Sequence, residues 1–530
     1  MSGTVIDEPM AAEEVSDEQP SHGPDLSKLE DHTPPFLRSP RILAGLVFMV
    51  GLVYLMFCLR PIWHTDIWGH LAYGRLIWET RSLPATEPLM PLAAGVSFVD
   101  TAWLSQLAGY LTMRQLGIAG LQGAYAFSIA FCVALLAIRS YRQTRHGWFS
   151  LVATVGFLAI AWAPLAIIRP QLAGLACYTL LLFRLTARRP ARADWLMVPL
   201  IFVAWANLHG SFPMGLLLLG CFTLGRAIDL LRRTGSWRAL LRDTELRRSV
   251  LLLELAAAAV LVNPYGMRIY PEVLQFSANP NLNDLTEWHP IGLEETHGMV
   301  FGVAAVLLTI LYRFSPRRVH SWEVLTLIVL GWSTFTSGRM IIWWAPVAAL
   351  LIAVHGHAIW RNWRHLPLLP EPPIRAGKWS VVAVGLVWIF FAYSPFGMRV
   401  IHGRSPKIEK SVSTSTPLAV VKYLNKSKPR GQIFNTYEWG DYLQWAGPAG
   451  MKVFVNSHAH LVPREVWQAY MQIGDARGGW EESLDRYGIN TVVVDREYRE
   501  ALIKKLKENE KWKLDFEQDG QVVFLRKNPI

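Results

Sequence analysis

The sequence predicts a polytopic α-helical membrane protein with a small α/β domain at its C-terminal end. Three observations carry that expectation. The 530 residues are 52% hydrophobic and 18% charged, with 23 Trp and 23 Phe, a composition normal for a partly bilayer-embedded chain and poor for one soluble globule. About eleven apolar stretches follow one another between short loops, and the arginines of alternate loops fall on one side of the implied membrane. From about residue 400 no further span occurs, and alternating apolar residues with turn signals take over.

Residues 1–41 carry nine acidic residues against Lys28, Arg38 and Arg41, several prolines and no long apolar run, which reads as a disordered acidic cytoplasmic tail and not as a cleavable signal. The membrane domain is expected over 42–399. Its first span is Ile42 to Leu59, and an external loop covers 60–117, with amphipathic residues 101–116 lying at the interface. Further spans are expected at about 118–138, 148–168, 171–186, 195–208, 212–230, 249–263, 299–312, 321–336, 340–359 and 379–397. Several are shorter than the ~20 residues a straight lipid-exposed helix needs. Interruptions are expected near Pro170, Pro213 and Pro264.

The loop charges set the orientation. Arg139, Arg142 and Arg145 share one loop, and Arg184, Arg188, Arg189 and Arg192 the next on that side. Seven arginines between Arg226 and Arg248 follow, then Arg313, Arg317 and Arg318, then Arg361, Arg364, Arg375 and Lys378. With eleven spans all five loops lie on the side of the N-terminus, which by the positive-inside bias is the cytoplasm. These loops account for the net charge of +11, so no nucleic-acid partner is implied. Cys58, Cys132, Cys177 and Cys221 all sit in apolar runs and read as small buried residues.

The C-terminal domain, 400–530, then faces the extracytoplasmic side. Helices are expected near 417–426, 463–474, 480–487 and 497–508, and strands near 431–435, 451–456, 490–495, 513–517 and 521–526. Trp439, Trp445, Trp467, Trp480 and Trp512 read chiefly as its core.

Nearly every polar cluster outside the basic loops sorts to the extracytoplasmic face. Asp66 and His70 are four apart and share one face of a helix that starts near Asp66, and Asp100 ends the same loop. Two carboxylates with a histidine suit general base catalysis on an incoming hydroxyl, or the holding of a divalent cation such as Mg or Mn by Asp66 and Asp100. Either aspartate is also a reasonable helix N-cap. Arg169 and Arg339 have no acid near them in sequence, and a guanidinium fork suits a phosphate. Asn207 and His209 offer hydrogen bonds to sugar hydroxyls, and Glu287 with Trp288 adds an acid and an indole. No GxGxxG, GxxxxGK[ST] or HExxH motif is present. A site on the face where soluble nucleotides are scarce favours a lipid-phosphate donor.

These residues resemble a large bacterial family of multispanning proteins grouped with the GT-C glycosyltransferases. The resemblance rests on Asp66-Ile67-Trp68-Gly69-His70 through Arg75, then Asp100, Trp103 and Gln106, and on Arg169-Pro170-Gln171, Trp205 to Gly210, Asn263 to Gly266 and Glu287-Trp288. In the tail it rests on Phe434 to Tyr442 and Asp485 to Gly488. It implies a GT-C-like fold, a first-loop acid (Asp66) acting as base or metal ligand, and a polyprenyl-phosphate-linked sugar as donor. Many members have Asp-Gly-Arg in the tail, where this chain reads Asn456-Ser457-His458. The resulting expectation is a glycosyltransferase of the bacterial cytoplasmic membrane, with a glycan, lipid or protein acceptor on the extracytoplasmic side. A transporter or flippase of lipid-linked or small anionic solutes, or a non-catalytic envelope interaction protein, are the alternatives.

The orientation has a direct test. A topology reporter fused after Ile530 is expected to be active only outside the cytoplasm, and one inserted near Ser236 only inside. Both on one side would break the odd span count.

Overall fold

The computed structural model describes residues 41–187, 190–366, 378–429 and 431–530, so the expected acidic tail lies outside the described residues apart from Arg41. Every stretch expected to span falls on a helix. Among the described residues five helices are long and apolar enough to cross a membrane alone: Arg41–Cys58 (α1), Trp103–Thr144, Phe212–Thr234, Thr296–Phe314 and Gly338–Trp363. A sixth is gained if Trp379–Ala392 and Pro395–His402, bent by 86°, form one span, and Gly147–Ile160, Gln171–Leu185 and Asp194–Leu208 are apolar but shorter. The chain breaks before Gln171 and Phe212 and after Val260, next to the three prolines named above.

Between α1 and the long helix Trp103–Thr144 (α3) lies the helix Asp66–Thr80 (α2). Gly117 interrupts α3 with φ 67° and ψ −162°, so residues 103–116 run as a separate segment before the apolar stretch. A left-handed φ is cheap for glycine and costly for other residues. Gly74 has a different duty. A Cβ there would lie 2.1 Å from the Gln106 carbonyl oxygen, so only glycine lets α2 and α3 pack this closely.

The membrane region has its own core, centred on Phe157, Tyr178, Phe202, Trp205 and the helix Ile341–Trp363. A second core does not respect the expected boundary near 400. Ile62, Trp68, Leu71, Tyr73 and Phe98 of the first loop pack in one cluster with Phe434, Trp439, Tyr442, Phe454, Trp467 and Val493 of the tail. The loop supplies α2 as a helix of that cluster, against the helix Gly440–Ala446. Polar ties reinforce the apolar ones. Ile62 and Val412 form a parallel bridge, Gln444 Nε2 donates to the Leu89 carbonyl at 2.9 Å, and Arg75 stacks over Trp445 at 4.8 Å.

The tail holds a four-stranded mixed sheet in the order β1-β2-β4-β3, with β1 Ile433–Asn435, β2 Thr491–Asp495, β3 Trp512–Gln518 and β4 Gln521–Arg526. Only β1 and β2 are parallel. Its four main helices lie where the periodicity predicts, at Leu418–Ser427, Arg464–Gly474, Trp480–Arg486 and Arg496–Glu508. Trp439, Trp467, Trp480 and Trp512 are buried in the core, as expected, and Trp445 is half-buried.

One expected strand, 451–456, is absent as a ladder. Its apolar run Val453-Phe454-Val455 is fully buried, which explains the strand-like reading. The buried side chain of Asn435 takes over the pairing: its Oδ1 accepts from Phe454 N at 2.8 Å, and its Nδ2 donates to the Val455 carbonyl at 2.9 Å. A side-chain amide therefore replaces the backbone rungs, leaving one isolated bridge at Gln432 and Lys452.

The shared core yields a test. Trp68→Ala removes a side chain with no exposed surface, and large-to-small changes of this kind cost ~3–5 kcal/mol. Thermal unfolding in detergent should shift down, and proteolysis should reach the tail first. A tail that keeps its stability in this variant would instead be an independent unit.

Candidate active site

The first turn of α2 sets the site. Asp66 is its first residue, and His70 stands one turn on along the same face. Asp66 does not cap the helix with its side chain, which meets His64 and Arg169 instead. Its Oδ1 lies 2.7 Å from His64 Nδ1, and its Oδ2 is paired with Arg169 Nε. Arg169 sits in the break between Trp162–Leu165 and Gln171–Leu185, where a helix end frees it to reach sideways. Its Nη1 lies 2.6 Å from Glu287 Oε2, while Glu287 Oε1 takes Arg339 Nη1 at 2.9 Å. Arg339 also covers the ring of Trp288 at 5.0 Å. Two carboxylates and two guanidiniums thus form one chain, with Asp66 buried and the other three half-buried.

That chain lines a cavity of about 360 Å³, within the ~300–1,000 Å³ usual for small-molecule sites. Asp66, His70, Asp100, Arg169, His209, Glu287, Trp288 and Arg339 all face it. These eight predicted residues come together from segments far apart in sequence. Asn207 does not join them. Its Nδ2 donates to the carbonyls of Val203 and Val262, both at 2.8 Å, and its Oδ1 accepts from Trp103 Nε1 at 3.1 Å. Both hydrogens of that amide and one lone pair of its oxygen fasten the end of its helix, and the side chain does not line the cavity where a binding role was expected.

Asp100 is tied into the turn that precedes α3, two residues ahead of its N-cap Ala102. Its Oδ1 accepts from Ala102 N and from Gln106 Nε2, each at 3.0 Å, which closes the turn into α3. Its Oδ2 is buried with no partner. His209 is held by Ser211, whose Oγ lies 2.8 Å from its Nδ1, and Gly210 passes so close to Thr101 that a Cβ would stand 2.8 Å from Thr101 Oγ1.

The tail completes the wall with Tyr437, Ser457, His458 and His460. The His458 ring lies 4.6 Å from Tyr73 and 5.5 Å from His70. The loop before Thr296 clamps this segment: Asn281 Nδ2 donates to the carbonyls of Ala459 and Val462 at 2.8 Å, and Asn279 Nδ2 to that of His460 at 2.9 Å. Asp441 lies behind α2, so close that a Cβ on Gly69 would stand 2.1 Å from its Oδ1. The sequence reading placed none of these tail residues in the site. The available signal was the pair His458 and His460, two imidazoles just after the apolar run Val453-Phe454-Val455.

Burial divides the charges. It works against ionised Asp66 and Glu287, but Arg169 and His64 outweigh it for Asp66, and Arg339 and Arg169 for Glu287, so both carboxyls fall below their ordinary range. With no cation at hand, burial pushes Asp100 up to about 7. Asp441 goes well above the carboxylate range through burial and the nearby Asp66. Burial lowers His70 to about 4, His209 to about 3 and His458 to about 3. At neutral pH these three imidazoles are uncharged hydrogen-bonding groups beside the two guanidiniums.

The Asp66 oxygens are engaged by His64 and Arg169, while Asp100 Oδ2 has no partner.

The histidine shifts predict a pH response. Because His70, His209 and His458 are depressed in the fold, their contribution is fully present above about 6.5 and is lost as pH falls toward about 4 and 3. Asp100, raised to about 7, works oppositely: its contribution is complete below ~3.9 and is lost as pH rises through about 7. His458→Gln is expected to flatten the fall in melting temperature between pH 6.5 and 4; an unchanged slope would mean His458 is not buried neutral.

No known family profile and no curated protein matches the chain. Solved structures do. The Archaeoglobus fulgidus oligosaccharyltransferase tethered to an acceptor peptide is 11% identical with a TM-score of 0.55, covering 92% of this chain and 74% of that one. ArnT from Cupriavidus metallidurans bound to undecaprenyl phosphate is 12% identical with a TM-score of 0.51, covering 91% and 97%. The arabinofuranosyltransferase AftD from mycobacteria is 14% identical with a TM-score of 0.52, covering 92% of this chain and 41% of that one. The chain thus has the polytopic GT-C-like fold of these membrane glycosyltransferases, with a small mixed sheet at its C-terminal end.

Proposed function

We propose that the chain is a membrane glycosyltransferase that moves a sugar from a polyprenyl-phosphate carrier to an acceptor hydroxyl on the extracytoplasmic side. The observation that carries this reading is the Asp66–Arg169–Glu287–Arg339 chain, two guanidiniums and a carboxylate base opening on one cavity. The fold supports it too, since the ArnT structure holds undecaprenyl phosphate. In this reading all eleven apolar stretches cross the bilayer, the tail lies outside, and the isoprenoid stays in lipid while its phosphate reaches the arginines.

The chemistry follows from the charges. An arriving phosphate competes with Asp66 and Glu287 for Arg169 and Arg339 and draws Arg169 off Asp66. The freed carboxylate regains basicity and takes the proton of the acceptor hydroxyl. The acceptor oxygen forms its bond to the anomeric carbon as the bond from that carbon to the phosphate oxygen breaks, with inversion. The leaving electron pair stays on the phosphate, where the two guanidiniums stabilise it. Asp66 is better placed for this than Asp100, because it touches the arginine pole and shares a helix face with His70.

Asp66→Asn is expected to lower turnover by ~10²–10⁴-fold while the protein stays folded. Arg169→Ala should chiefly raise KM for the polyprenyl-phosphate donor, and the matching nucleotide sugar should be ignored. Normal transfer by Asp66→Asn would refute the assignment. EDTA separates the two uses of the carboxylates: transfer with Asp66 as a base persists, and transfer needing a cation on Asp66 and Asp100 stops. Movement of intact donor without bond cleavage would favour the flippase.

A further inference from the structure

Two buried oxygens in the cavity lack partners. Asp100 and Gln106 are each 2% exposed, and both line the wall. The 3.0 Å bond from Gln106 Nε2 to Asp100 Oδ1 locks the two side chains together and fixes which end of the amide is free. Asp100 Oδ2 and Gln106 Oε1 then flank that bond, each buried without a donor. The backbone fixes the pair, since Ala102 N holds Asp100 Oδ1 and Gly74 presses on the Gln106 carbonyl. A buried acceptor left unmatched is costly, and a native wall retains one where a ligand supplies the donor.

The ligand's chemistry follows from what these atoms need. Gln106 Oε1 accepts, and Asp100, raised to about 7, accepts when ionised and donates when protonated, so the partner must present adjacent groups able to do both, as hydroxyls are. No cation stands beside Asp100 to hold an anionic group, which sets this corner apart from the arginines. His70, neutral because it is buried, lies 3.4 Å from Gln106 Nε2 and adds a further uncharged hydrogen-bonding atom. The Trp288 indole N–H, also on the cavity wall, is likewise buried without a partner. Neighbouring hydroxyls of a sugar ring satisfy this set.

We infer that Asp100 and Gln106 form a subsite for adjacent hydroxyls of the donor sugar, with Gln106 as a specificity-determining residue. This rests on the glycosyltransferase reading above. The sugar would span the cavity, its phosphate on Arg169 and Arg339 and its hydroxyls on Asp100 and Gln106, which sets the anomeric carbon beside Asp66. Asp100 then recognises substrate instead of serving as a second base.

The test measures binding of two kinds of probe to the full chain in detergent. One is bare undecaprenyl phosphate. The others are undecaprenyl phosphate carrying glucose, mannose, N-acetylglucosamine or arabinose. The gain in affinity that a sugar adds over the bare carrier isolates this subsite. In the wild type at least one glycoside is expected to bind tenfold or more tightly than the bare carrier. Gln106→Met, close in size, and Asp100→Asn should reduce that gain to threefold or less while affinity for the bare carrier holds. Arg169→Ala should weaken carrier and glycoside alike. A gain that survives both substitutions, or no gain for any sugar in the wild type, would overturn the subsite. Failure of the bare carrier to bind, or its indifference to Arg169→Ala, would instead remove the glycosyltransferase reading, and the subsite with it.

Discussion

Arg169 is the residue on which the site depends. A guanidinium largely withdrawn from water is tolerable only with countercharge, and it finds two carboxylates, Asp66 and Glu287, from opposite directions. Those acids come from segments 103 and 118 residues away, so the pairing fastens the start of α2 and the long loop to the break before Gln171. Arg339 closes the chain through the second Glu287 oxygen. Buried pairs of this kind seldom add much net stability, because desolvation offsets their attraction. Their value here is positional: four charges are held at one cavity wall in a compensated state that an arriving anion can rearrange.

The same balance explains the surrounding histidines. Burial and nearby guanidiniums keep His209 neutral, and burial keeps His70 and His458 neutral against the pull of Asp66. The wall therefore offers a charged pole and an uncharged hydrogen-bonding pole. A molecule with a phosphate at one end and hydroxyls at the other matches both poles, whereas a free anion matches only one.

Most of the helical skeleton was legible because hydrophobic runs and arginine sorting are properties of local sequence. The cavity residues were legible for a related reason: charges beside apolar runs need an explanation wherever they occur, which singled out Asp66, Arg169 and Arg339. The identity of Arg169's partners was not legible, since sequence distance conceals contacts across the fold. Asn207 misled because a helix-end asparagine and a ligand-binding one look alike in one dimension. The run 451–456 misled because its burial is strand-like while Asn435 supplies the pairing. The tail's place in the site was hidden by its change of composition, which suggested separation, when Trp68 and Tyr73 of the first loop are part of its core.

That shared core has a consequence for biosynthesis. Trp68, Leu71 and Tyr73 leave the ribosome several hundred residues before Phe434, Tyr442 and Phe454, the side chains that cover them. At ~5–20 residues per second the first loop waits tens of seconds with its aromatic face uncovered. During that interval the nascent chain has helices but no closed cavity, and the loop is an aggregation hazard that a chaperone or the bilayer surface must shield. Cavity closure therefore waits for the tail, and a chain that stops short of it lacks the part of the wall made by Tyr437, Ser457, His458 and His460.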